Sequence, residues 1–308
     1  MDEERFGTEA VANRATGTST LARTAHSRTV AWRALREHVT TRHHGGMSAY
    51  VHGYGTPEQE RLVDQAEHWR HGLIRDGTSL DPGARLLEVG CGVGAVLAVL
   101  GQEFPGIRLT GVDIEPRQLE FARGHLERSG VEATLLEADA LALPLEDQSF
   151  DHVWMMWLLE HIADPPAALS EARRVLVPGG GITAIEVDYS TCHAEPSTPA
   201  MEALFRTMVR GMETSGWSDA GTRLPGWLRE AGFREIDEGE RSFWWQDEDL
   251  SRQANYAADV MESALEALAR LPGAAEDELR AGLGDLRSLP DQPGGGLGWT
   301  LHKSKAVR

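Results

Sequence analysis

Apolar positions recur along this chain with two different periods. Leu62, Val63, Ala66, Trp69 and Leu73 fall at three- and four-residue spacing, which predicts a helix over 58–75. A regular alternation follows. Residues 84–90 (ARLLEVG) predict a buried strand, 95–104 a helix, 108–114 (RLTGVDI) a strand, and 116–129 a helix opening on Pro116. Strands follow at 133–139 and 150–157, then a helix at 166–177 closed by Pro178-Gly179-Gly180, then a strand at 182–189. Further helices are expected at 199–214, 222–232, 249–271 and 275–288. RSFWW (241–245) predicts a sixth strand, and 296–304 a closing one after the Gly294–Gly296 turn. Strands alternating with helices predict an α/β fold with a doubly wound, mostly parallel sheet and right-handed crossovers.

Composition narrows the function. The chain has 308 residues, with 30 Lys+Arg against 48 Asp+Glu, a formal net charge of −18. Phosphate backbones and anionic membrane surfaces repel such a surface, so no nucleic-acid or membrane partner is expected. No apolar run approaches the roughly 18 residues a membrane span needs. Cys91 and Cys192 offer no disulfide framework and no CxxC spacing, so no metal is expected and a reducing, cytoplasmic setting is. Residues 1–46 carry seven arginines against five acids and little periodicity, which reads as a flexible N-terminal tail. Three units are expected: the tail at 1–46, a helical lid segment at 47–83, and a catalytic domain at 84–308 with cap insertions near 190–240 and 247–290.

The chemistry concentrates in LLEVGCGVGAV (86–96), where the first strand turns into a helix. Gly90, Gly92 and Gly94 let a ligand approach the backbone closely. The order is G-x-G-x-G, without the third glycine of a dinucleotide fingerprint. Glu88 just before the loop is a poor neighbour for a pyrophosphate and a good one for a cation. Asp113 ends the second strand, where a carboxylate can accept both ribose hydroxyls. Asp139 ends the third, within reach of an adenine amine. Three acids at three successive strand ends imply a ligand with a ribose, a purine and a positive charge, and no phosphates.

With those residues the chain resembles class I methyltransferases that use S-adenosylmethionine. The matching segments are the Glu88–Gly94 loop, Asp113, EADALALP with Asp139, FDHVWMMWLLEHI and RRVLVPGGG. The resemblance implies a Rossmann-like, seven-stranded, mostly parallel sheet whose last strand is antiparallel, with helical substrate-capping insertions. It also implies that the loop cradles the methionine and ribose, and that Asp113 with Ile114 beside it holds the ribose end. Asp139 and Ala140 are expected to bind adenine, Trp157 and Leu158 to flank the donor, and S-adenosylhomocysteine to be the product.

The acceptor side is expected to come from SAYVHGYG (48–55) and the two insertions. Tyr50, His52 and Tyr54 alternate along one side of an extended segment, with Gly53 and Gly55 as hinge positions. The plain alternative is a turn with exposed rings. His52 is the expected base, Tyr50 or Tyr54 closes over the donor or donates to the acceptor, and Glu186 is a second base candidate. Glu160 and His161 follow a strand end, where His161 has a structural or a catalytic part. The YVHGY stretch also resembles bacterial natural-product enzymes that methylate carbon 3 of indoles. Nine tryptophans, among them Trp154, Trp157, Trp217, Trp244 and Trp245, offer aromatic walls for such a small aromatic substrate. Met201, Leu204, Phe205, Met208 and Met212 form a helical apolar stripe that reads as a lid or a homodimer seam. The competing readings are an O- or N-methylating relative, a NAD-dependent dehydrogenase disfavoured by Glu88, and a non-catalytic binding fold disfavoured by the intact loop.

Overall fold

The computed structural model describes residues 52–308; Tyr50 and the tail at 1–46 lie outside the described residues. An N-terminal helix, α1 (Thr56–His68), runs into a π-helical turn at Arg70–Arg75. Then come β1 (Arg85–Val89), α2 (Ala95–Glu103), β2 (Arg108–Asp113), α3 (Pro116–Ser129) and β3 (Ala133–Glu137). β4 (Phe150–Met156), α4 (Pro165–Val175), β5 (Leu176–Glu195), α5 (Pro199–Ser215) and α6 (Ala220–Glu230) continue the chain. β6 (Arg234–Asp237), β7 (Glu240–Trp245), α7 (Asp247–Ser263), α8 (Leu265–Leu268), α9 (Glu276–Arg287) and β8 (Gly296–Val307) complete it.

The strands form one sheet in the order β3-β2-β1-β4-β5-β8-β6, with β7 also paired to β8. The β1–β5 pairings are parallel, and β8 runs antiparallel to β5, β6 and β7. This is the doubly wound topology, whose crossovers leave loops gathered at the carboxyl ends of β1 to β5. Alternation along each strand feeds two cores. Leu86, Trp154 and Ile185 face one core with α1, α2 and the cap helices α5, α7 and α9. Leu87, Val153 and Ala184 face the other, with α4 and α6.

The sheet has eight strands where seven were expected. The sixth position is split into β6 and β7, which both pair with β8. REID of β6 is mostly exposed and has no apolar alternation to announce it. Between the two strands the backbone at Gly239 takes φ 60°, where a Cβ would stand 1.9 Å from the Lys303 carbonyl oxygen. β5 also outruns its expected end, because a register shift between Asp188 and His193 carries pairing on to Glu195 opposite Gly296. Asp188 Oδ1 accepts from the Ser190 amide and hydroxyl (3.0 and 2.6 Å), which builds that irregularity locally. The α6 helix, placed within the first insertion, packs on the sheet as the crossover to β6, so the helical cap there is α5 alone.

The N-terminal segment is fastened to the sheet by a buried cation. Lys303 of β8 is 1% exposed. Its Nζ donates to the carbonyls of Leu73 (2.7 Å) and Asp76 (2.5 Å) and to the Thr78 hydroxyl (2.8 Å), at the carbonyl-rich end of the π-helical turn. The same ammonium lies 5.4 Å from the centre of the Trp154 ring. No described helix is long and apolar enough to cross a membrane.

Candidate active site

The glycine loop leaves β1 at Val89. Gly90 has φ 74° and lies so close to the Leu158 side chain that a Cβ would stand 2.6 Å from Leu158 Cδ1. Gly94 has φ 71° and caps α2. Both are conformations glycine reaches without steric cost. Asp113 pins the loop from the neighbouring strand. Its Oδ2 accepts the Gly92 amide (2.8 Å) and its Oδ1 the Glu115 amide (2.9 Å). Each oxygen keeps a second lone pair, so these bonds leave room for ribose hydroxyls.

Glu88 is 2% exposed, and its Oε2 has no hydrogen-bond partner. Burial, then the charge of Asp113, push its carboxyl well above the usual carboxylate range. Such an oxygen fits an ammonium or amide donor supplied by a ligand. Asp139 Oδ1 accepts the Leu141 amide (2.9 Å). Beside these acids Ile114 is 54% and Leu141 40% exposed, unusual for large apolar side chains and suited to the face of a flat ring. The residues present therefore fit an adenosyl group carrying a cationic amino acid.

Tyr54 stands over the same end. The Arg117 guanidinium lies 5.1 Å from its ring centre. Burial, then the charges of Asp113 and Glu115, push its phenol up to about 12. Of the two parts expected for Tyr54, this position suits closure over the donor rather than donation to the acceptor.

The loop after β4 forms the opposite wall. Trp157 takes φ 51°, a left-handed conformation rare for a bulky residue, with its amide donating to the Ile185 carbonyl (2.9 Å). Glu186, 0% exposed, holds the rest of the loop. Its Oε1 accepts the amides of Leu158 (3.1 Å) and Leu159 (2.8 Å), and its Oε2 that of Glu160 (3.3 Å). Burial, then the Glu160 charge, push its carboxyl well above the usual range. Both Glu186 oxygens accept backbone amides, so the residue shapes the loop.

Beyond the loop lies a cluster of polar and aromatic side chains beside the cap. His52 Nδ1 is 2.7 Å from the Ser263 hydroxyl at the end of α7. Burial, then Arg61 and His161, hold its imidazole well below the ordinary histidine range. His161 Nε2 is 3.3 Å from Glu160 Oε1, and the Tyr189 hydroxyl donates to that same oxygen at 3.2 Å. Tyr256 of α7 stacks on His68 with ring centres 4.2 Å apart. Burial raises the phenols of Tyr189 and Tyr256, the latter to about 12, and Glu160 adds to both. Among the described residues no cluster of His, Cys, Asp or Glu could hold a metal ion.

Sequence reasoning did not single out Tyr189, Tyr256 or Ser263. Tyr189 closes the predicted strand ITAIEVDY and was visible by that position; Tyr256 and Ser263 sit in a helix pattern with no local signal. Of the five tryptophans offered as walls, Trp157 alone stands beside the donor loop. Trp154 is 0% exposed beneath Lys303. Trp217 packs edge-on against Trp227 and donates to the Ile162 carbonyl. Trp244 stacks on His193 at the sheet edge. Trp245 joins Trp69, Phe243 and Trp299 in a cluster that meets Tyr256. The Met201–Met212 stripe is buried inside the cap, where Gly282 of α9 lets α5 come close, so it is core packing and not a dimer seam.

Comparison with known proteins bears on the family and the fold. Residues 87–184 match the family model of a methyltransferase domain. Over 186 residues the chain is 32% identical to a ubiquinone biosynthesis O-methyltransferase of Cereibacter sphaeroides, covering 56% of this chain and 72% of that protein. Over 102 residues it is 40% identical to the demethylmenaquinone methyltransferase of Thermus thermophilus, covering 33% of this chain and 46% of that protein. The chain thus spans about half the length of several curated relatives it matches. A solved structure of phosphoethanolamine N-methyltransferase 2 from Haemonchus contortus, in complex with S-adenosylhomocysteine, shares the fold. Its TM-score is 0.52 at 20% identity, covering 78% of this chain and 52% of that one.

Proposed function

The chain belongs to the class I S-adenosylmethionine-dependent methyltransferases, and we propose that it methylates a small aromatic molecule held beneath its cap. The observation that carries this reading is a pair of neighbouring clusters of side chains. One is the glycine loop with Glu88, Asp113 and Asp139; the other, which we propose lines the acceptor chamber, is made by His52, Glu160, His161, Tyr189 and Tyr256. When bound, S-adenosylmethionine supplies an electrophilic methyl group on a sulfonium, whose sulfur leaves as a neutral thioether. The protein's own work is to align the two partners at contact distance and to exclude water.

In this reading Glu88 meets the amino group of the methionine part. The glycine loop, pinned by Asp113 at Gly92, lies against the rest of it, and Asp113 keeps lone pairs for the ribose. Ile114 and Leu141 sandwich the adenine, with Asp139 and Ala140 at its edge, and Trp157 and Leu158 border the reacting end. Tyr54 covers the donor. His52, its ring set by Ser263, stands on the acceptor side, neutral at physiological pH and able to accept a hydrogen bond there. Tyr50 lies outside the described residues and keeps its proposed place in the lid through the YVHGY pattern alone. The described part of the N-terminal segment, 52–83, and the cap helices α5, α7 and α9 enclose an acceptor of modest size, in keeping with a cytoplasmic biosynthetic enzyme.

For the acceptor itself we propose carbon 3 of an indole, on the YVHGY pattern and the aromatic lining. O- or N-methylation is the second reading, favoured by relatives whose names concern quinone biosynthesis. A turnover screen separates them. Purified protein, S-adenosylmethionine and a panel of indoles, phenols, amines and quinols are followed by mass spectrometry for a gain of one methyl, with S-adenosylhomocysteine release as control. Carbon methylation of an indole is the expected outcome. Methylation of a phenol or quinol oxygen discards the indole assignment and keeps the rest; failure to bind the donor at all removes the whole reading.

A further inference from the structure

We propose that Glu160 is the acceptor-holding carboxylate of this site, receiving a hydrogen bond from a ring N–H or O–H of the aromatic molecule and taking that proton during transfer. The inference rests on the methyl-transfer reading and names the chemistry its acceptor must present.

Glu160 is 2% exposed. Its Oε1 is engaged by the Tyr189 hydroxyl (3.2 Å) and His161 Nε2 (3.3 Å). Its Oε2 is buried with no hydrogen-bond partner. A buried carboxylate oxygen left bare costs free energy that a bound donor recovers. The backbone cannot swing that oxygen out to water. The Glu160 amide donates to Glu186 (3.3 Å), and its carbonyl accepts the Trp217 amide (2.9 Å). Gly216 also passes so near that a Cβ there would stand 1.8 Å from the Glu160 carbonyl oxygen. Tyr189, on β5, reaches the same carboxylate by its hydroxyl, and Tyr256, on α7, lies near enough for the Glu160 charge to raise its phenol. A buried carboxylate beside Tyr189, two residues from the Leu158 that packs on Gly90 of the donor loop, suits a flat molecule with one polar hydrogen at its edge.

The balance of the step is complete with these groups. As the acceptor's carbon or heteroatom bonds the methyl carbon, the methyl–sulfur bond breaks and leaves its electron pair on sulfur. The electron pair of the acceptor's N–H or O–H bond returns to the ring system, neutralising the charge it gains, and the proton moves to Glu160 Oε2. His161 and Tyr189 orient the carboxylate throughout.

The test uses the full chain loaded with S-adenosylhomocysteine and two matched pairs of probes, indole with 1-methylindole and phenol with anisole, titrated by calorimetry. Wild-type protein is expected to bind the hydrogen-bearing member of at least one pair about tenfold more tightly, as a bond to a charged group allows. Glu160→Leu should bring that ratio near one, and Glu160→Gln should restore part of it. If the leucine variant does not fold, at least a threefold loss of preference in the glutamine variant carries the result. An unchanged ratio in a folded variant, no preference in the wild type, or no binding of any probe to the loaded protein overturns the assignment. Failure of S-adenosylhomocysteine to bind strikes the methyl-transfer reading first and is seen in a separate titration.

Discussion

A carboxylate oxygen that no donor reaches is the residue-scale mark of a ligand, and Glu88 carries one. The group is nearly sealed from water, and its carboxyl is held high by burial and by Asp113. An ammonium placed there gains a charge-assisted bond, worth about 1.5–3 kcal/mol. Glu88→Gln should therefore weaken S-adenosylhomocysteine about 10- to 100-fold by calorimetry. The same change removes an uncompensated buried carboxylate, so the ligand-free thermal midpoint should hold or rise. Affinity unchanged within twofold would sink the assignment of Glu88 to the amino group. Glu88, the glycines, Asp113 and Asp139 were legible because each sits at the end of a local apolar run and announces its position along the chain. Tyr189, Tyr256 and Ser263 reach the chamber only through packing of β5 and α7, which no local pattern encodes.

At the scale of elements, periodicity was most informative where one face of a strand or helix is buried. The strands β1 to β4 and the helices α2 to α4 lie within a few residues of their expected bounds. β6 escaped because four mostly exposed residues carry no period, and the tail of β5 because a side-chain turn at Asp188 interrupts its alternation. β4 holds a titratable group in the sheet itself. His152 Nε2 is 3.0 Å from the Thr183 hydroxyl. Burial, then Lys305 and Lys303, pull its imidazole down to about 4. Below pH 6.5 the unfolded chain takes a proton there that the folded one refuses until about pH 4, so stability falls as pH drops through that window. A depression of this size corresponds to about 3 kcal/mol when complete. The thermal midpoint of the wild type should fall more steeply between pH 6.5 and 4 than that of His152→Gln, in which the other groups titrate unchanged. Parallel profiles for the two proteins would show that His152 titrates normally.

At the scale of the whole molecule, the two halves of the proposed site are mechanically joined. The α1 helix is the join. On one side Gln59 Nε2 donates to Gln118 (3.0 Å) and to the Arg117 carbonyl (3.3 Å) at the start of α3, beside Asp113. On the other, His68 Nε2 is 2.9 Å from Gln253 and its ring stacks on Tyr256, both on α7. His52 meets Ser263 at the far end of that same helix. A donor that engages Asp113 and draws Tyr54 over it therefore acts on an element that also braces the acceptor chamber. Binding should lower the local opening of α1 and α7 together, in addition to any global stabilisation. Amide hydrogen exchange is the direct measure. With saturating S-adenosylhomocysteine, residues 56–68 and 247–263 should exchange about tenfold more slowly, while α4 on the opposite face of the sheet should change little. Protection confined to the glycine loop and α3, with α1 and α7 unmoved, would show that the cap closes independently of the donor. An ordered sequence, donor first and acceptor second, follows physically only if the two regions slow together.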